Sequence, residues 1–109
     1  ALQGGLEMGY YIQANMSFTG ATAEEVDLIT SYIEENEDDF YLIYPNGESK
    51  AEGKWYDRDV HFKTLSLKFP NVLFNLYCCG EDGAKWLEYY KNGVYKRVEA
   101  IITYNGWED

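Results

Sequence analysis

Hydrophobic and polar residues alternate along residues 10–18, which predicts a strand with one buried face. Thr22 followed by Glu25 three positions later is a capping-box signature, so a helix is predicted to begin there. The helical pattern fades near Asn36. The apolar residues at helical spacing, which are predicted to form the buried stripe of this helix, are Val26, Ile29 and Ile33.

The middle of the chain predicts a hairpin and then a second helix. Residues 40–44 read as a strand, and residues 46–47 (Asn-Gly) are a strong hairpin signal because both tolerate a positive φ. A two-residue turn at this point would pair that strand with a third strand, from Tyr44 opposite Ser49 to Tyr41 opposite Glu52. Asp57 is a predicted N-cap for the second helix, which Pro70 ends.

The last part of the chain predicts three consecutive antiparallel strands, over residues 72–79, 84–91 and 94–104. Two-residue turns are predicted at residues 82–83 (Asp-Gly) and 92–93 (Asn-Gly). Both turns predict the same buried face, formed by Val72, Phe74, Leu76, Cys78, Leu87, Tyr89, Val98, Ala100 and Ile102. The opposite face is predicted to carry Asn75, Tyr77, Trp86, Glu88, Tyr90, Tyr95, Arg97 and Glu99, with Glu88 and Arg97 as a cross-strand charge pair.

The order of these elements predicts an α+β fold. It is a ferredoxin-like split β-α-β-β-α-β unit with a C-terminal β-hairpin extension. Its antiparallel sheet would have the strand order 6-5-4-1-3-2, with two helices on one face and the other face open. A single domain is predicted over residues 8–109. Residues 1–7 (ALQGGLE), which precede Met8, are interpreted as a vector-derived extension.

Aromatic residues dominate the predicted open face. This aromatic surface would consist of Tyr11, Tyr41, Tyr77, Trp86, Tyr90 and Tyr95, together with Arg97. Patches of this kind are typical of protein interfaces. Cross-strand aromatic pairs can also stabilise a sheet without any partner. If the surface docks a protein, the occupant is either a different protein or a second copy of this chain, which would make a homodimer.

The chain is strongly acidic, and the excess lies in its first half. Its 109 residues hold 19 acidic and 9 basic side chains, for a net charge of −10, and residues 24–39 contain eight acids and no base. Such a run is either a solvated helix face or a docking surface for a basic protein. The predicted acidic docking surface consists of Glu24, Glu25, Glu34, Glu35, Glu37, Asp38 and Asp39. The negative charge argues against nucleic acid as a direct partner, because phosphate binding needs positive charge.

No catalytic residue, metal site or cofactor is predicted. Cys78 and Cys79 are adjacent, so they point to opposite faces of a strand and do not share a metal; two free thiols indicate a reducing cytoplasm. His61 is the only histidine. Glu88 and Glu99 are one carboxylate pair beside aromatic rings, but an arginine between them indicates charge pairing rather than hydrolysis. A small enzyme or ligand-binding domain is the third alternative. No run reaches the roughly 18 apolar residues of a membrane span.

The stretch from Gly53 to Gly93 carries a resemblance to known proteins. The residues that match are Trp55, Tyr56, Asp57, Leu65, Ser66, Phe69, Pro70, Val72, Leu73, Phe74, Gly80, Glu81, Trp86, Tyr89, Tyr90, Asn92 and Gly93. This stretch resembles small proteins of phages and other bacterial mobile elements whose carboxy-terminal half has a ferredoxin-like fold. That family has no assigned catalytic residues. The resemblance implies a phage context and, by association, an inhibitor of a host defence or nucleic-acid-binding protein.

Overall fold

The computed structural model describes residues 10–99, which form one antiparallel sheet and two helices. The elements in chain order are β1 (Ile12–Thr19), α1 (Ala23–Glu35), α2 (Arg58–Lys68), β2 (Leu73–Gly80), β3 (Lys85–Lys91) and β4 (Val94–Glu99). The sheet has the strand order β1-β2-β3-β4, and each neighbouring pair is antiparallel. The α+β class with an antiparallel sheet and two helices is therefore confirmed. Residues 1–7 and the predicted core positions 100 and 102 lie outside the described residues.

The capping box predicted for α1 is present. The Glu25 N–H donates to Thr22 Oγ1 (3.1 Å), and the Thr22 N–H donates to Glu25 Oε1 (3.0 Å). Ile29 and Ile33 are buried as predicted, but Val26 is 39% exposed. The buried stripe of α1 is therefore shorter than the sequence pattern indicates, and only the second half of the helix contributes fully buried side chains.

The hydrophobic core lies between one face of the sheet and a layer formed by both helices and the long connection of residues 36–57. The fully buried core residues from the sheet are Ile12, Ala14, Met16, Phe74, Leu76, Cys78, Trp86 and Tyr90. Those from the covering layer are Ile29, Ile33, Phe40, Leu42, Ile43, Trp55, Phe62 and Leu65. The sheet face that contacts this layer is called the helix side below, and the opposite face is called the open face.

The predicted second and third strands do not form. Residues 36–57 contain two isolated bridges instead of a ladder, one between Ile43 and Ser49 and one between Ile12 and Gly53. The bridge to Gly53 lies on the edge of β1 where the third strand of a ferredoxin-like sheet was expected. No ladder extends from it within the described residues, so the predicted ferredoxin-like strand order is not formed. The observed order of elements is β-α-α-β-β-β.

The turn at Pro45 explains why the predicted hairpin fails. The Gly47 N–H donates to the Tyr44 carbonyl (2.8 Å), which makes Pro45 and Asn46 the central residues of a four-residue turn. Proline favours the first central position of type I and type II turns because its φ is fixed near −65°. In the predicted two-residue turn, Asn46 and Gly47 would be the central residues, and Pro45 would lose the first central position that it favours.

The turn between β2 and β3 contains three residues instead of the predicted two. The Gly80 N–H donates to the Ala84 carbonyl (2.8 Å), and the Gly83 N–H donates to the Gly80 carbonyl (3.0 Å). Gly83 has a φ of +87°. These features describe a type I turn followed by a left-handed residue, a common three-residue hairpin loop. The additional loop residue shifts β3 by one position against β2, which exchanges its two faces.

The one-residue shift buries side chains that were predicted to be exposed. Cys78 opposes Trp86, one position earlier than predicted. Trp86, Glu88 and Tyr90 are consequently only 3%, 1% and 0% exposed. The register between β3 and β4 was predicted correctly, with Glu88 opposite Arg97. Its turn has a positive φ at both central residues, as predicted for Asn-Gly.

Gly47 holds the long connection against β1 through a close backbone contact. Its carbonyl accepts the Met16 N–H (2.7 Å), its φ is +95°, and a Cβ would lie 2.2 Å from the Met16 carbonyl oxygen. Gly47→Ala is expected to lower the free energy of unfolding by about 2–4 kcal/mol, because backbone strain and a steric clash add. Gly83→Ala is the control, since its φ is +87° but no atom lies within 4 Å of the added Cβ. It should lose about 1–2 kcal/mol. Equal losses in urea unfolding would contradict the close contact.

Candidate functional site

The seven acidic residues predicted to form one docking surface occupy two separate regions. Glu24 and Glu25 lie in the first turn of α1, where they complement the positive end of the helix dipole. Glu25 also closes the capping box. Glu24 and Glu34 are about 15 Å apart along the helix axis, from the rise per residue. The two N-terminal acids therefore have a structural explanation, and the other five form a separate group.

The acidic end of the molecule consists of Glu34, Glu35, Glu37, Asp38 and Asp39. All five are exposed, and with Asn36 they line a depression of about 570 Å³. These carboxylates lie at the C-terminus of α1, which is the negative end of the helix dipole. The last turn of α1 holds no basic residue that would offset their charge. Within the described residues, the one Lys, Arg or His nitrogen within 4 Å of these carboxylates is His61 Nε2, which lies 3.5 Å from Asp39 Oδ1. This arrangement opposes helix stability instead of supporting it.

Buried contacts fix the position of the acidic end. Asn36 follows α1, its Nδ2 donates to the Tyr32 carbonyl (2.8 Å), and its carbonyl accepts the Phe40 N–H (3.2 Å). Phe40 is 1% exposed, and its ring packs edge-on against Phe62 and Trp55 at centroid distances of 5.2 and 6.1 Å. The carboxylates are therefore held between a capped helix end and an aromatic anchor.

Four residues predicted to lie on the open face lie on the helix side instead. They are Trp86, Tyr90, Tyr95 and Arg97. The Arg97 guanidinium stacks over the Trp86 ring at 4.2 Å, and the rings of Tyr90 and Tyr95 are 5.2 Å apart. The prediction was wrong for these residues because the three-residue turn exchanges the faces of β3, and β4 follows β3 in its correctly predicted register.

The three other predicted aromatic residues are exposed but do not form one patch. Tyr77 lies on the open face in the middle of β2 and is 39% exposed. Tyr11 directly precedes β1 and is 43% exposed. Tyr41 belongs to the long connection rather than the sheet, and its ring packs beside Trp55 at 5.9 Å. The aromatic surface as predicted is therefore not assembled.

The open face contains no carboxylate among the described strand positions. Strand alternation and burial assign to it Gln13, Asn15, Ser17 and Thr19 of β1, Leu73, Asn75, Tyr77 and Cys79 of β2, Lys85, Leu87, Tyr89 and Lys91 of β3, and Val94, Lys96 and Val98 of β4. These side chains are amides, hydroxyls, aliphatic groups, a thiol and three lysines. On a chain of net charge −10, this face is locally positive.

Glu88 is a buried carboxylate that organises the helix side of β3. Arg58 of α2 donates to it from Nε (2.9 and 3.1 Å) and from Nη2 (2.6 Å). Trp86 Nε1 and the Tyr90 hydroxyl donate to it at 2.7 and 2.6 Å. Arg58 also donates from Nη1 to the Trp55 carbonyl (2.9 Å), which connects α2, the long connection and the sheet.

The surroundings of Glu88 keep it ionised. Burial alone would raise the pKa of the Glu88 carboxyl, but hydrogen bonds from Arg58, Tyr90 and Trp86 outweigh it and leave the pKa below its ordinary value. Burial, together with the hydrogen bond to Glu88, raises the pKa of Tyr90. Burial, with the nearby Glu88 charge, raises the pKa of the Cys78 thiol to about 12. Glu88 is therefore a charged structural group and has no proton to donate at neutral pH.

The sequence contained a signal for this cluster. Trp86, Glu88 and Tyr90 alternate along one strand, so an indole N–H and a phenol O–H necessarily flank the carboxylate on the same face. The predicted register also put these three residues on one face, but it gave Glu88 the wrong charge partner, Arg97. The actual partner is Arg58, which is 30 positions away along the chain and whose proximity no local pattern shows.

The remaining chemistry-bearing residues have structural partners. His61 Nδ1 accepts a hydrogen bond from Trp55 Nε1 (3.3 Å), which ties the only histidine to the core. Across residues 10–99, no three His, Cys, Asp or Glu side chains are arranged to hold a metal ion. Neither of the two described helices is long and apolar enough to cross a membrane.

Comparisons of the chain with protein-family models, with curated proteins and with solved structures found no match. Function is therefore inferred from the three features described above. These are the acidic end, the open face and the buried Glu88 cluster.

Proposed function

We propose that this protein is a non-catalytic protein-binding module whose acidic end docks on a basic partner. The observation that supports this most strongly is the placement of five exposed carboxylates at the C-terminus of α1. The helix dipole and mutual repulsion both disfavour negative charge there, so the fold gains no stability from it. Such a patch does accelerate encounter with a positively charged protein and selects against acidic ones.

Nucleic-acid-binding proteins are the class of partner that this charge fits best. Their binding clefts are lined by lysine and arginine, and an array of carboxylates is complementary to them. Together with the resemblance to phage proteins, this extends the proposal to a phage-encoded inhibitor of a host defence or nucleic-acid-binding protein. Glu88 offers no general acid for catalysis, since Arg58 holds it as an ion. The free thiols of Cys78 and Cys79 are consistent with a reducing cytoplasm.

Self-association through an aromatic sheet face, the alternative, loses its support in this fold. Trp86 was its central residue, and Trp86 is 3% exposed beneath Arg97. Trp86→Lys would therefore disrupt the core instead of reporting on a dimer interface.

A matched pair of charge variants tests the docking proposal. The first variant, E34Q/E35Q/E37Q, removes three charges from the acidic end, and the second, D27N/E48Q/E52Q, removes three exposed charges elsewhere. Both reach the same net charge. Fluorescence anisotropy with a labelled oligolysine peptide should show roughly tenfold weaker binding for the first variant and less than a twofold change for the second. Equal weakening of both would show that only net charge matters and would overturn the proposal.

The same variants are expected to differ in stability. E34Q/E35Q/E37Q should raise the free energy of unfolding by about 1–2 kcal/mol in total, because it removes negative charge from the negative end of the α1 dipole. D27N/E48Q/E52Q should change it by less than about 0.5 kcal/mol. Urea unfolding at low salt measures both. A loss of stability in the first variant would mean that these carboxylates support the fold, and their functional interpretation would then fail.

A further inference from the structure

The nine basic residues of the chain divide into two groups by what they contact. Within residues 10–99, six of them contact an aromatic ring or a carboxylate: Lys50 with Tyr44, Lys54 with Tyr11, Arg58 with Glu88, Lys63 with Tyr95, Lys68 with Tyr32, and Arg97 with Trp86. Lys85, Lys91 and Lys96 make no such contact in that part of the chain, and all three are exposed. All three lie on the open face, whose positive charge is therefore not neutralised by the described residues.

The chemistry of the open face changes in order across the sheet. The lysines lie on β3 and β4, the tyrosines on β2 and β3, and the amides on β1 and β2. Tyr77 opposes Leu87, so Tyr77 and Tyr89 are diagonal neighbours on adjacent strands, about 7–8 Å apart. Asn75 lies directly opposite Tyr89, and its Oδ1 is buried without a hydrogen-bond partner among the described residues.

We propose that the open face binds single-stranded RNA. The lysines on β3 and β4 would contact the phosphates, which leaves the bases directed across β2 toward β1. Tyrosine rings on a sheet stack unpaired bases, and Tyr77 and Tyr89 offer two platforms. The Gln13 amide and the Nδ2 groups of Asn15 and Asn75 can hydrogen-bond to base edges and to the ribose 2′-hydroxyl, which favours RNA over DNA. The Asn15 Oδ1 is already occupied, since it accepts the Ser49 N–H (3.0 Å).

Other occupants use less of this surface. An acidic peptide, or the acidic end of a second copy, would neutralise the lysines but would leave the tyrosines and amides without a specific role. Duplex DNA is read by a helix or ribbon that enters a groove, and a four-stranded face offers neither. The sequence argued against nucleic acid because the chain as a whole is negatively charged. The observed register places Glu88 and Glu99 on the helix side and the three lysines on the open face, so the local charge of this face is opposite to that of the whole chain. The RNA proposal is independent of the acidic end.

Fluorescence anisotropy with a labelled single-stranded RNA of mixed sequence tests the proposal, with DNA of the same sequence and the RNA duplex as comparisons. The variant K85Q/K91Q/K96Q removes the three charges of the open face. The control, K50Q/K63Q/K68Q, produces the same net charge but leaves this face intact. For the wild type and the control we expect the same dependence of log affinity on log salt, and for the open-face variant a slope shallower by about two. Tyr77→Ala and Tyr89→Ala should each weaken binding roughly tenfold.

Several results would overturn the proposal. These are no RNA binding at about 50 mM salt, an equal effect of the two lysine variants, or equal binding of RNA and DNA. Displacement of RNA by oligoglutamate with no effect of either tyrosine variant would point to an acidic peptide instead. Self-association that the open-face variant abolishes, without RNA binding, would point to a second copy.

Thermal unfolding confirms that each variant is folded. If a tyrosine variant does not fold, the lysine variants still test the proposal. The acidic-end variant E34Q/E35Q/E37Q should bind RNA at least as tightly as the wild type does. Failure of the RNA proposal is therefore distinguishable from failure of the docking proposal.

Discussion

Replacement of Glu88 by glutamine is expected to lower the free energy of unfolding by about 3–5 kcal/mol. The carboxylate is 1% exposed and accepts hydrogen bonds from Arg58, Trp86 and Tyr90. Glutamine removes the charge that compensates Arg58 and presents an N–H₂ group to surrounding donors. A domain of this size is stable by about 5–15 kcal/mol, so this loss is a large share of the total. Urea unfolding at neutral pH measures it.

The control for this variant is Glu99→Gln, which neutralises an exposed glutamate on the same side of the sheet. Its side chain is 62% exposed and pairs with Arg97, so a loss below about 1 kcal/mol is expected. A loss at Glu88 no larger than at Glu99 would mean that Glu88 is not the buried acceptor described here.

The effect of Glu88→Gln should also depend on pH. The folded-state pKa of Glu88 lies below its ordinary value of 4.5. Its ionised form therefore contributes stability that is present above the ordinary pKa and is lost as the pH falls through the lower, folded-state pKa. The difference in stability between wild type and variant should be largest near neutral pH and should shrink below about pH 4.5. A difference that stays constant down to that range would contradict an ionised Glu88.

Phe40→Ala is expected to destabilise the protein by about 3–5 kcal/mol, although Phe40 belongs to neither a helix nor a strand. Its ring is 1% exposed and packs against Tyr32, Trp55 and Phe62. Truncation removes these contacts and leaves a cavity where the long connection meets both helices. The adjacent Tyr41 is the control, since it is 40% exposed and Tyr41→Ala should cost less than about 1.5 kcal/mol.

Phe40→Ala also tests whether the core holds the acidic end in position. Asp38 and Asp39 directly precede Phe40, so loss of the anchor should release them from their fixed positions. Oligolysine binding, measured at a temperature where the variant remains folded, should then weaken compared with Tyr41→Ala. Equal unfolding free energies for the two variants would show that residues 36–57 are not packed as described.

Several elements could be predicted from sequence because a short local pattern determines them. β1 follows from strict alternation, and the start of α1 follows from the reciprocal hydrogen bonds that Thr22 and Glu25 can make. The Asn92-Gly93 turn was predicted with the correct length, because both residues tolerate a positive φ and no neighbouring residue competes for the turn. The register between β3 and β4 follows from that turn.

The remaining errors come from turns whose length was ambiguous. Gly83 fits a two-residue turn, but it fits equally well as the left-handed last residue of a three-residue loop. Pro45 favours the longer loop in the same way. One residue of difference exchanges the faces of β3, so the predicted aromatic surface was wrong at Trp86, Tyr90, Tyr95 and Arg97. The acidic residues were easier to identify because exposed charge needs no register, although their division into two groups required the helix geometry.

The register between β2 and β3 determines both the buried Glu88 cluster and the lysines of the open face. Nuclear Overhauser contacts between Hα atoms measure it directly, because Hα atoms approach closely only between residues that oppose each other without paired hydrogen bonds. The observed register predicts strong Hα–Hα contacts between Tyr77 and Leu87 and between Asn75 and Tyr89. Contacts between Cys78 and Leu87 and between Leu76 and Tyr89 would instead contradict it, and would return Glu88 to the open face.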